Sequence, residues 1–171
     1  KVKGEGFFLA CFRKRNGEDP GHIKPKKPPE RATRAEKEYV TRWMDTNGKE
    51  LIKHQQTVYA WPEELFHDFS VLLEKMKVVY SGVKAGELMR DKLVPDHALA
   101  MSGLVLAPVK RIDLTAEEAI RYLQRKEIRL EGVPTGWALA CFAGKSLGWM
   151  NILPGRINNY YPKELRILRD I

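Results

Sequence analysis

Cysteine is nearly missing: the 171 residues hold two, Cys11 and Cys141. Two thiols so far apart exclude a disulfide-stapled secreted fold and suit a reducing compartment, the cytoplasm. A long apolar run is missing too. The longest, residues 98–109, falls short of the roughly 20 residues that span a bilayer and is broken by Ser102 and Pro108, so no membrane anchor is expected. No G-x-G-x-x-G follows a strand-like stretch and no G-x-x-x-x-G-K-[ST] loop occurs, which leaves a nucleotide cofactor without a recognisable seat. His22, His54, His67 and His97 and the two cysteines show no ligand spacing, so no metal is expected.

Catalytic pairs are equally scarce. Asp96-His97, with Lys92 nearby, has the composition of a polarised base, yet an aspartate at that place also caps the helical turn after it. Glu63-Glu64 and Glu117-Glu118 each open an expected helix, where acids complement the dipole. Cys11 and Cys141 sit in the same apolar tetrapeptide, Leu-Ala-Cys-Phe, a setting for buried, inert thiols rather than nucleophiles.

Positive charge, by contrast, is abundant. The net charge is +8 with a pI near 9.5, which favours an anionic partner, nucleic acid first among them. Residues 1–34 carry ten Lys and Arg against four acids, so six of the eight net charges lie there. Within them residues 6–12 form an apolar, aromatic run expected to be a strand, followed by a Pro/Gly/Lys linker over residues 16–29. The chain opens on Lys1 with no leader pattern, and an internal piece of a longer protein is the expectation.

Beyond the linker the pattern is α+β. Thr33-Arg34-Ala35-Glu36 has capping-box spacing and predicts a helix to about Asp45. Residues 50–60 should be extended. Pro62 should open a second helix with Leu65, Phe66, Phe69, Leu72, Leu73 and Met76 on its apolar face. Residues 77–83 are strand-like, and Gly86 and Pro95 punctuate the next stretch. Thr115-Ala116-Glu117-Glu118 is a second capping box, with Ala119, Ile120 and Leu123 inward and Arg121, Arg125 and Lys126 outward. Residues 137–142 and 147–153, around Ala143-Gly144, should form a hairpin.

The strongest binding signal lies near the end. Lys145, Arg156, Lys163, Arg166 and Arg169 face one acid, Glu164, and interleave with Asn158, Asn159, Tyr160 and Tyr161. Cations neutralise phosphates, tyrosine faces stack unpaired bases, and asparagines read base edges or 2′-hydroxyls. Lys84, Arg90 and Lys92 around Gly86 form a second basic set. The structural alternative is that Tyr160 and Tyr161 close a core beside Pro162 while the charges are merely solvated.

Three stretches carry a family resemblance. Residues 4–14, Gly-Glu-Gly-Phe-Phe-Leu-Ala-Cys-Phe-Arg-Lys, resemble the last strand of the catalytic domain in the Nol/Nop/Sun family of RNA cytosine-C5 methyltransferases. Pro95-Asp96-His97-Ala98-Leu99-Ala100, then Gly148-Trp149, then Asn158-Asn159-Tyr160-Tyr161-Pro162-Lys163 with Leu165-Arg166, resemble in this order the C-terminal region of the RsmF-like branch. The resemblance implies a small PUA-like mixed β barrel with short helices over residues 76–171. Residues 35–75 would then be a helix-strand-helix connecting segment, and residues 1–34 a basic linker carrying the last strand of a methyltransferase domain. It further implies a parent enzyme that uses S-adenosylmethionine, with small-subunit ribosomal RNA and its own catalytic domain as partners. Neither cysteine matches a catalytic position of the family, so this stretch is expected to hold no cofactor and to be inert alone. The competing expectation is a protein-interaction module that docks on the catalytic domain or the ribosome.

Overall fold

A computed structural model describes residue 10 and residues 23–169. The strand expected at residues 6–12, with Cys11, lies outside the described residues apart from Ala10.

Where local chemistry is strongest the elements form as expected. Thr33 caps α1 (Arg34–Val40) and Thr115 caps α4 (Ala116–Leu123), each through a complete capping box with Glu36 or Glu118. Asp96 caps α3 (His97–Met101) by accepting a hydrogen bond from the Ala98 amide at 2.9 Å. Pro62 leads through a 3-10 turn, Glu63–Leu65, into α2 (Phe66–Lys75).

The fold is α+β, with two four-stranded sheets. β1 (Lys49–His54), β2 (Thr57–Pro62), β3 (Val83–Met89) and β4 (Lys92–Pro95) form an antiparallel meander. In the second sheet β5 (Arg111–Asp113) runs parallel to β6 (Gly136–Phe142), which pairs antiparallel with β7 (Lys145–Leu153), and β7 with β8 (Arg156–Asn159). Neither sheet closes on itself, so the expected barrel is corrected to two open sheets. They share a core: Leu51, Val58, Ala85 and Leu93 of the first meet Leu139, Cys141 and Trp149 of the second around Val40, Met44 and Leu99. A second cluster under α4 includes Tyr122, Ile128, Ala138 and Met150.

Other corrections are local. The single extended stretch at residues 50–60 is a hairpin, because Gln55 takes φ +54 and turns the chain without the usual glycine or asparagine. Helix α1 stops at Val40 rather than near Asp45. Residues 77–82 form no strand, and Val79 there is 91% exposed. Gly86 does not interrupt a loop but sits inside β3, where the register against β2 shifts; a Cβ on it would lie 2.3 Å from the Val94 carbonyl oxygen. β2 pairs with β3, so the first sheet runs from residue 49 to residue 95.

The connector between the sheets is fastened rather than loose. Asp45 N–H donates to the Leu104 carbonyl and Leu106 N–H to that of Trp43, at 2.9 and 3.0 Å. The Arg111 guanidinium gathers the carbonyls of Val105, Leu106, Ala107 and Val109 at 3.1–3.3 Å.

Candidate nucleic-acid interface

The expected binding residues separate into three groups. Lys84 is ion-paired, 2.9 Å from Asp96 and 3.6 Å from Glu87. Burial works against its charge, but the hydrogen bond and charge of Asp96 outweigh it and hold the ammonium above its ordinary pKa. Arg90 is exposed in the β3–β4 turn, with φ +58. Lys92 is exposed at the start of β4. The set expected around Gly86 is therefore divided, with Lys84 committed to the fold.

Lys145 and Arg156 are also apart. Lys145 starts the nine-residue strand β7, whereas Arg156 pairs with Leu153 at its other end. At about 3.3 Å per residue these positions are roughly 25 Å apart, too far to meet at one phosphate. Arg166 is exposed just beyond the 3-10 turn Lys163–Leu165.

Asn158, Asn159, Tyr160, Tyr161 and Lys163 do come together. With Arg125 and Lys126 they line a groove of about 650 Å³ beside β8. Part of this set is internal structure. Asn159 donates from Nδ2 to the Tyr122 carbonyl and accepts from the Tyr161 amide, both at 2.8 Å. Arg125 donates to the Tyr161 carbonyl. The Tyr161 ring stands edge-on to His97 and Tyr122, at 5.3 and 5.7 Å between centroids. Of the two tyrosines, Tyr160 is the outward one, 38% exposed.

Asp96 caps α3 and holds Lys84, while the indole N–H of Trp149 donates to the Asp96 carbonyl at 2.8 Å. Burial depresses the His97 pKa, with Asp96 and Glu164 pulling the other way, so the ring is neutral at pH 7. Tyr122 Oη donates to the Trp149 carbonyl at 2.9 Å, and burial pushes its hydroxyl pKa up. Cys141 is buried, and that burial raises its thiol, which disfavours the thiolate.

Tyr160 leads to a second groove that sequence reasoning missed. Its ring packs on Trp137 at 4.4 Å, and Trp137 lines a cleft of about 470 Å³ between the two sheets, with Tyr39, Arg42, Trp43, Lys92 and Lys110. Tyr39 and Trp43 have helical spacing and Trp137 lies in an apolar strand, so in the sequence each belongs to a core. A cluster of aromatics and cations is visible only once α1, β4 and β6 are side by side.

β5, α4 and β6 form a parallel crossover whose β5–α4 connection is Leu114-Thr115, without glycine, and the Thr115 hydroxyl accepts from the Glu118 amide at the start of α4. Among the described residues no His/Cys/Asp/Glu group could hold a metal, and no helix is long and apolar enough to cross a membrane.

Comparison with known proteins places these elements. Residues 35–102 match the RsmF rRNA methyltransferase first C-terminal domain and residues 109–167 the methyltransferase RsmF PUA domain. The chain is 27% identical over 170 residues to ribosomal RNA small subunit methyltransferase F of Shewanella piezotolerans, covering 94% of this chain and 35% of that protein. The protein of the same name from Vibrio parahaemolyticus is 24% identical over 173 residues, covering 94% and 36%. The chain thus spans about a third of the length of these curated relatives.

Proposed function

Because the chain carries the paired C-terminal domains of the RsmF family of ribosomal RNA methyltransferases, we propose that it is the RNA-holding module of such an enzyme and directs it to small-subunit ribosomal RNA. In the whole protein a separate domain would bind S-adenosylmethionine and transfer its methyl group to C5 of a cytosine. The residues of this chain bind and orient the RNA and take no covalent part.

One observation supports this reading most: exposed cations lie beside aromatic rings, with Tyr160 exposed and packed on the half-buried Trp137. Lys163 and Asn158 line the groove that Tyr160 also lines, and Lys92 and Arg42 line the cleft that Trp137 also lines. Phosphate neutralisation beside stacking surfaces is the usual chemistry of RNA contact.

The test is fluorescence anisotropy of this chain with a small-subunit ribosomal RNA hairpin and an unrelated duplex across a salt series. Binding should favour the hairpin and weaken linearly in log salt. Replacing Arg156 and Lys163 by Ala should reduce the slope by about one for each phosphate that is no longer neutralised. Absence of binding at low salt would sink the reading. A second reading, docking on a catalytic domain, draws on the exposed apolar residues Leu72, Met76, Val79 and Tyr80; it predicts binding to that domain without RNA.

A further inference from the structure

We infer that the cleft between the two sheets is a nucleotide-binding subsite that takes one unpaired base of single-stranded RNA against Trp137 and its flanking phosphates against Arg42 and Lys92. This rests on the RNA-holding role proposed above and assigns to it a second contact, outside the β8 groove.

The cleft is built from both family domains. Tyr39 comes from α1, Arg42 and Trp43 from the turn after it, Lys92 and Leu93 from β4, Lys110 from the connector and Trp137 from β6. Its volume, about 470 Å³, lies within the roughly 300–1,000 Å³ range of small-ligand sites. Its walls are set by the core. Trp43 packs edge-on to both Trp137 and Trp149, at 5.9 and 5.5 Å, and Lys110 Nζ is held by the carbonyls of Pro134 and Thr135 at 2.8 and 3.0 Å. A rigid aromatic wall costs little entropy when a base stacks on it.

Charge selects the ligand. Three of the lining residues are cations and none is an acid. Among the described residues Arg42 and Lys92 form no ion pair, in contrast to Lys84 and Lys53, which do. Arg42 lies over the Tyr39 ring at 5.7 Å. An acidic protein segment would satisfy the cations but leave the accessible part of the half-buried Trp137 ring unused, whereas a nucleotide supplies a flat ring and a phosphate together. Duplex RNA keeps its bases stacked and cannot insert one. The pairing of Trp137 with Tyr160 joins this cleft to the β8 groove, so a strand leaving one enters the other.

The experiment measures anisotropy of a labelled single-stranded RNA hexanucleotide, and of the same sequence as a blunt duplex, with the intact chain. Single-strand binding should be at least about tenfold tighter than duplex binding at equal salt. The double variant Arg42→Ala/Lys92→Ala, both sites exposed, should keep the melting temperature and lose about tenfold in single-strand affinity. Trp137→Leu should lose a similar factor and Trp137→Phe much less, because a smaller aromatic face remains. Equal binding of single strand and duplex overturns the inference, as does a double variant that binds like the parent. If the ribosomal hairpin still binds and responds to Lys163→Ala in those cases, only the cleft assignment falls; if no RNA binds at all, the RNA-holding role falls with it. Polyglutamate binding as tight as the hexanucleotide would give the cleft to an acidic protein and also overturn it.

Discussion

The knot beneath α3 and the strip running from Lys92 to Lys163 are neighbours made of similar residue types, but they use them in opposite ways. In the knot, Tyr122, Trp149, Asn159 and the Asp96 carbonyl satisfy one another through bonds of 2.8–2.9 Å. In the strip, Tyr160, Arg42 and Lys92 lie at the surface and the last two lack acidic partners among the described residues. Polar groups that are buried and paired specify a single packing; aromatics and cations left at the surface are available to a ligand. Tyr160 and Tyr161, adjacent in sequence, divide between the two regions.

Substitutions sharpen this contrast. Gly148→Ala should have the largest effect, because Gly148 has φ +152 and a Cβ there would lie 2.6 Å from Tyr122 Oη and 3.1 Å from His97 Nδ1. A loss of about 3 kcal/mol in chemical denaturation is expected, and a parental midpoint would mean that the knot is looser than its geometry. Asn159→Ala leaves the Tyr122 carbonyl and the Tyr161 amide without their side-chain partner and should cost about 2 kcal/mol. RNA affinity of the folded fraction should hardly change, and a drop in affinity at unchanged stability would move Asn159 into the strip.

Tyr122→Phe should cost only about 1 kcal/mol, since the Trp149 carbonyl it abandons still accepts the Tyr160 amide at 3.0 Å. The smallest effect is in pH. The pKa of His97 is lowered from 6.5 by burial, so the unfolded chain takes up a proton that the folded chain refuses. The contribution is fully present above the unfolded pKa and is lost as pH falls below it. Denaturation midpoints should decline on acidification below about 6.5, and His97→Phe should flatten that part of the profile; an identical slope in both proteins would assign the decline to other groups.

Much of the local architecture was legible in the sequence. Thr33 and Thr115 announced their helices because a capping box acts over three residues, and Ala143-Gly144 announced the β6–β7 hairpin for the same reason. The turns at Gln55 and Arg90 escaped because neither is a usual left-handed residue, and only the pairing of the flanking strands imposes φ near +55 on them. The β5–β6 parallel pairing escaped because three residues carry no periodicity. Of the candidate site, Tyr160 and Lys163 were found by composition. Trp43, Trp137 and Arg42 were not, since in sequence the tryptophans are core residues and Arg42 is one surface charge among many.

Residue type and near neighbours are enough to set the helix caps, the C-terminal hairpin, the α+β class and the basic character. Long-range packing fixes which cations the fold consumes, as Asp96 does Lys84, and which stay without an ion pair beside an aromatic ring, as Arg42 and Lys92 do among the described residues. Ion pairs and clefts are set by distances of a few ångströms between residues far apart along the chain, and those distances exist only after both sheets have packed on one core.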